Sequence, residues 1–329
     1  MTLSGRILIL VAVLGVLLAV SGLLAVSIGS SGSHFAEVAA VLSGNADEDA
    51  TARTILLQIR FPRVILAAAV GATLALGGLV FQCLLRNPLA EPYILGISGG
   101  SAVGAIIGIL LQLAMFPWVS FLAFSGSAVT LLLILVLAAG QLSLKKDALL
   151  LGGVMMNAFC GAIIMFLISM SQSSQVHHIL FWLMGDLSMV VNAQLPILAG
   201  VLPAFAVVWY LARPMNLLLM GQETAASMGI NVRAVTFTLL AVTTFMVSIV
   251  VCQSGLVGFV GLVIPHIFRQ ILGPDHRLLV PACILGGGGY LILCDLLART
   301  LPPQGEMPVG IVTAMIGAPL FVFLLWRVK

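Results

Sequence analysis

Glycine, proline and short charged clusters cut the chain into ten apolar runs, near residues 7–28, 64–84, 94–113, 119–140, 148–170, 194–212, 234–252, 256–272, 278–298 and 308–326. Each approaches the ~20 residues that a helix needs to cross the hydrocarbon core of a bilayer. Inside that core every backbone N–H and C=O must be satisfied within the protein, so tandem runs of this length dictate a bundle of helices. The runs use most of the 329 residues, of which 61% are hydrophobic and 8% charged. With a mean hydropathy of +1.22, little is left for a soluble catalytic domain. The expectation is an all-α polytopic membrane protein with about ten transmembrane helices in one domain spanning 1–329. The first run follows a lone Arg6 and is 22 residues long, beyond the roughly 7–15 of a signal-peptide core, so it is read as a spanning helix. The eighth is the weakest, because Pro265, His266 and Arg269 interrupt it; a short or broken helix is expected there.

Charge sets the orientation, because cytoplasmic loops carry the excess of Lys and Arg. With the N-terminus inside, ten crossings place Arg6, Arg86, Lys145, Lys146, Arg213, Arg233, Arg269, Arg277, Arg327 and Lys329 on the cytoplasmic side, ten residues, against Arg53, Arg60, Arg63 and Arg299, four, outside. Both termini are therefore expected in the cytoplasm. Removing the eighth span would export Arg327 and Lys329, so the same count argues for keeping it. A net charge of +3 spread this thinly provides no nucleic-acid surface.

Two loops exceed what a turn requires. On the inner side, Arg213 to Arg233 reads RPMNLLLMGQETAASMGINVR, with Gly221 and Gly229 punctuating two short helix-compatible stretches, the pattern of a structured surface that docks another protein. On the outer side, 171–193 has an apolar middle too short to span, with Trp182 expected at headgroup level. The outer loop 29–57, Ser/Gly-rich and then acidic at Asp47, Glu48 and Asp49, reads as a solvated connection.

Catalytic chemistry needs convergent acids, bases, nucleophiles or metal ligands, and the spans offer few. Asp295 is the one acid placed clearly inside a span, four residues before Arg299. Intramembrane acids are functional candidates by default, but an i,i+4 helix-end pair is the plainer reading here. His177 and His178 are adjacent and point apart on either a helix or a strand, which argues against joint ligation, and no metal site is expected. Cys83, Cys160, Cys252, Cys283 and Cys294 form no C-x-x-C pair and read as packing residues. The methionines of the fifth run, including Met155, Met156 and Met165, read first as packing, and otherwise as an adaptable lining for a bulky substrate. Small residues at 96–108 and 286–289 fit close helix approach. No Gly-Lys pair occurs anywhere in the sequence, so the phosphate-binding P-loop is absent and any ATPase must be another chain.

The run RFPRVILAAAVGATLALGGLVFQCLLRNPLAEPYILGISGGSAVGA (60–105) resembles the signature of the FecCD-type permeases, the membrane subunits of ABC importers for ferric siderophores, haem and vitamin B12. Trp182–Gly185, GQETAASMGINV (221–232), GLVGFVGLVIPHIFRQILGPDHR (255–277) and EMPVGIVTAMIGAPLFVFLL (306–325) extend the resemblance over nearly the whole chain from Arg60 to Arg327. It implies a homodimer in a bacterial or archaeal cytoplasmic membrane, two cytoplasmic ATPase subunits carrying ATP and Mg²⁺, and an extracytoplasmic substrate-binding protein. No cofactor is implied on this chain. Residues 214–232 would then dock the ATPase, with Gly221, Glu223, Thr224, Met228 and Gly229 at the coupling surface. Met155, Met156, Asn157, Met165, Val312 and Met315 would line the pathway, and Arg60, Arg63 and Arg299 would form a positive patch that receives the binding protein. The competing expectation is a stand-alone ion-coupled secondary transporter, which would need more buried carboxylates than this sequence offers.

Overall fold

The computed structural model describes residues 2–29, 32–33, 53–139, 146–303 and 305–327. Most of the outer loop 29–57, with Asp47, Glu48 and Asp49, lies outside them, as do Lys145 and Lys329. Helix α1 covers Leu3–Ser27, and a two-residue ladder of β1 (Ile28–Gly29) with β2 (Gly32–Ser33) follows it. Then come α2 (Ile55–Leu85), α3 (Ile97–Leu110), α4 (Ser120–Ala139), α5 (Lys146–Ser169) and α6 (Ser173–Leu183). The remainder is α7 (Asn192–Tyr210), α8 (Ala212–Met220), α9 (Gln222–Ser227), α10 (Val232–Ser254), α11 (Val260–Leu272), α12 (His276–Thr300) and α13 (Val309–Arg327). Among the described residues seven helices are long and apolar enough to cross a membrane, and three shorter apolar ones, in α3, α11 and α13, bring the set to the expected ten. An even number of crossings returns both ends to one face.

The short helices have a physical explanation. The 13 residues of α11 rise only ~20 Å, so the span is completed by non-helical chain, which survives at membrane depth only where protein satisfies its backbone. Residues 255–259 meet that condition. The Tyr93 hydroxyl donates to the Val257 carbonyl and accepts from the Val257 N–H, both at 3.1 Å. The Phe259 N–H donates to Glu91 Oε1 at 3.0 Å, and the Leu256 N–H to the Trp182 carbonyl at 3.4 Å. Trp182 is itself buried in the bundle, not at the headgroups, because α6 folds back against this loop.

Helix α2 is the axis of the molecule: 83% of its apolar window is buried, against 6% for α1. It packs on α10, α11 and α12, and its small residues set the distances. A Cβ on Gly78 would overlap the Gly261 carbonyl of α11, and one on Gly71 the Gly287 carbonyl of α12. The same device joins α3 to α4, where Gly100 lies against Gly126 and Gly104 against the Leu122 carbonyl. Both glycine-dense stretches therefore mark backbone-to-backbone crossings.

Candidate functional site

The residues expected from the sequence to be functional occupy opposite ends of the α2–α12 pair and one flank of the bundle. At the inner end, α8 and α9 form a helical hairpin around Gly221, whose φ of +132° favours glycine. Glu223 lies in the first turn of α9, where its charge complements the helix dipole. Glu223, Thr224, Met228 and Gly229 are all exposed, together with Leu219 and Met220 of α8. The opposite side of α8 is bound into the bundle. Arg86, the left-handed C-cap of α2, donates to the Leu218 carbonyl at 2.6 Å. Asn216 donates to Asp275 Oδ1 at 2.8 Å. Asp275 caps α12 and is held well below the usual carboxylate range, first by hydrogen bonds from the Arg277 side chain and then by Asn216.

At the outer end, Arg60, Arg63 and Arg299 are buried, with 5%, 5% and 3% of their surface exposed. This corrects the expectation of a free positive patch. Arg63 Nε donates to Asp295 at 2.9 Å, its Nη1 meets Glu306 Oε2 at 2.5 Å, and Arg299 Nε approaches Asp295 Oδ2 at 3.1 Å. Arg299 also donates to the Ala25 carbonyl at 3.1 Å and Arg60 to the Val26 carbonyl at 3.0 Å. These are the last carbonyls of α1, which the helix itself leaves unpaired and whose partial negative charge attracts cations. The i,i+4 pairing of Asp295 with Arg299 is as the sequence reads. The approach of Arg63 from 232 residues away had no local signal. Arginine here fastens α1, α2 and α12 together, and that consumes the donors a docking patch would need.

Along the flank, α5 exposes Met155 and Met165, and α13 exposes Met315. Neighbouring positions turn inward. Met156 packs against Gly96, and the Asn157 amide donates to the Tyr93 carbonyl at 3.1 Å. Val312 is 3% exposed and does not line any open face of this chain. Gly310 against the Met184 carbonyl and Gly317 against Phe259 seat α13 in the bundle, and Val312 is seated with them. A small cleft lined by His178, Phe181, Asp186, Gln194 and Gln253 opens beside α6. Among the described residues no group of three His, Cys, Asp or Glu side chains is placed to hold a metal ion, and the five cysteines are buried and unpaired.

Among the described residues, ten apolar helices, seven of them long enough to cross a membrane, define a multi-pass membrane protein. The sequence model of the FecCD transport family matches residues 16–327, and the chain belongs to that family. It is 40% identical over 279 residues to the cobalamin import system permease protein BtuC of Halobacterium salinarum, covering 84% of this chain and 74% of that one. It is 38% identical over 274 residues to the vitamin B12 import system permease protein BtuC of Escherichia coli, with 83% of each chain covered. A solved metal-chelate type ABC transporter in an inward-facing conformation superposes with a TM-score of 0.86 at 29% identity, over 96% of this chain and 98% of that one. PsaBC from Streptococcus pneumoniae, at 18% identity and a TM-score of 0.57, shares the fold. The chain is the permease subunit of an ABC importer and a multi-pass protein of the inner membrane.

Proposed function

We propose that this permease imports a bulky metal chelate of the corrinoid class, with vitamin B12 as the leading substrate. The observation that carries the reading is identity of 38–40% to two cobalamin permeases across more than four fifths of the chain. The uncharged, methionine-bearing faces of α5 and α13 support it, since a soft apolar wall lets a large chelate pass without a tight binding step. The working unit is a homodimer carrying two cytoplasmic ATPase subunits, which bind ATP and Mg²⁺, and one extracytoplasmic binding protein. This chain binds no cofactor and catalyses no reaction of its own. The exposed hairpin of α8 and α9 faces the cytoplasm and seats Glu223, Thr224 and Met228 on the ATPase. Arg60, Arg63 and Arg299 shape the outer surface from beneath, by fixing the ends of α1, α2 and α12.

The test is uptake by proteoliposomes containing the permease, its ATPase and its binding protein, offered cyanocobalamin, haem and a ferric siderophore in parallel. ATP-dependent accumulation of cyanocobalamin is expected. Accumulation of a ferric chelate alone would reassign the substrate, and uptake driven by an ion gradient without the ATPase would overturn the importer arrangement. Cysteine at Met228 should cross-link to the ATPase, and cysteine at His178 should not.

A further inference from the structure

Helix α8 is gripped from two sides. The C-terminus of α2 holds it through Arg86 on the Leu218 carbonyl and Cys83 Sγ on the Met215 carbonyl, at 2.6 and 3.5 Å. The N-terminus of α12 holds it through Asn216, whose amide nitrogen and oxygen both bond to that helix end. Asn216 Nδ2 donates to Asp275 Oδ1 at 2.8 Å, while Asn216 Oδ1 accepts from the His276 backbone N–H at 2.9 Å and from His276 Nδ1 at 2.7 Å. The backbone donor fixes which end of the amide is oxygen, and that oxygen in turn requires the His276 proton on Nδ1. His276 is buried and Asp275 is locked by Arg277 at 2.7 Å, so the receptor for Asn216 is rigid. Helix α9, by contrast, projects its exposed face into solvent.

Beyond this joint, α2 and α12 do not separate easily. Their backbones touch at Gly71 and Gly287, where neither position has room for a side chain. Their outer ends are tied by Arg63 and Asp295 at 2.9 Å. Arg63 also holds Glu306, three residues before α13 begins at Val309. Helix α12 has 25 residues, so it spans ~37 Å and links the hairpin to the segment that enters the flank helix.

We propose that Asn216 is the positioning residue that makes α8, α2 and α12 one mechanical body, so that displacement of the inner hairpin is delivered to the outer ion cluster and to α13. This rests on the importer arrangement given above. Asparagine suits the role because one neutral amide supplies a donor to the capping carboxylate and an acceptor to two N–H groups. A carboxylate at 216 would keep both acceptor bonds and set like charges against Asp275. The reciprocal exchange would remove the like-charge contact and let position 275 donate, at the expense of the cap, because the same Asp275 Oδ1 also accepts from the Arg277 N–H.

The experiment uses the full permease–ATPase complex in lipid nanodiscs and reads ATP hydrolysis with and without the cognate binding protein. Asn216→Asp should retain the ATPase through purification, while the ratio of binding-protein-stimulated to basal hydrolysis falls at least fivefold. Asn216→Asp combined with Asp275→Asn, which removes the repulsion but not the lost cap, should recover at least half of the lost stimulation. If Asn216→Asp does not assemble, Asn216→Ser is read in its place, with lowered stimulation expected. Unchanged stimulation in the single variant overturns the proposal, as does a loss that is undiminished in the double exchange or merely tracks loss of the ATPase. A parent complex that retains no ATPase instead overturns the importer arrangement, and this inference with it.

Discussion

The Gln82 side-chain amide donates to the Gly261 carbonyl at 3.1 Å, and that carbonyl lies four residues before Pro265 in α11. Proline has no N–H to offer it. Gln82 therefore repairs, from another helix, the bond that Pro265 removes, and its own oxygen accepts from Arg269 at 2.9 Å. Replacing Gln82 by Leu should destabilise the protein by about 1–3 kcal/mol, the cost of leaving buried polar groups unpaired. Pro265→Ala supplies the missing N–H, so it should recover stability in the Gln82→Leu background and do less in the parent. Thermal unfolding of the four proteins in detergent checks this, and additive effects would show that the two residues are not partners.

The α2–α12 crossing gives a second expectation. A Cβ at Gly71 would overlap the Gly287 carbonyl, whereas one at Gly161 on α5 meets nothing within 4 Å. Gly71→Val should force the helices apart and cost at least the ~1–3 kcal/mol of overpacking. Gly161→Ala should be neutral or slightly stabilising, because alanine is the better helix former. Equal melting temperatures for the two variants would contradict the crossing geometry.

Hydropathy made the ten spans legible because lipid imposes length and composition on each one. The same uniformity hides rotation. On a helix apolar all round, such as α5 or α13, nothing local says that Met155 faces outward while Met156 seats on Gly96, or that Val312 is buried and Met315 open. The arginines were legible as exceptions to the inside bias, yet their partners were not. Arg63 finds Asp295 and Glu306 only once α2, α12 and the chain before α13 have been brought together. The inner hairpin was readable because Gly221 and Gly229, both at positive φ, punctuate a polar stretch that has no reason to enter lipid.

The outer ion cluster predicts an asymmetry between its members. Asp295 is 1% exposed and serves both Arg63 and Arg299, whereas the Glu306 side chain is 31% exposed and serves Arg63. Removing one partner of a buried pair leaves a charge uncompensated, at a cost of ~3–5 kcal/mol. Asp295→Asn should therefore cause a large fall in melting temperature and poor accumulation in the membrane. Glu306→Gln, at the wet edge where exposed pairs contribute only ~0–1 kcal/mol, should have a small effect. Comparable losses for both would mean that Asp295 is not the centre of the cluster.

The flank of α5 and α13 separates a conduit wall from a lipid face by a comparison of three aspartates. A charge that meets lipid near the bilayer centre costs ~2.5–3.5 kcal/mol, so loss of insertion alone does not report on transport. Met155 is exposed on α5, Val16 is exposed on α1, and Met156 is turned against Gly96. If α5 lines the pathway, Met155→Asp should insert at a normal level, since water reaches that face, and cut transport about tenfold or more. Val16→Asp should lower the amount of protein in the membrane, with activity per molecule retained. Met156→Asp should unfold the α5 contact with the turn at Gly96 and lose both. Transport is read as ATP-dependent uptake divided by the permease present in each vesicle preparation. If Met155→Asp behaves like Val16→Asp on that scale, α5 faces lipid at this position and the conduit runs elsewhere.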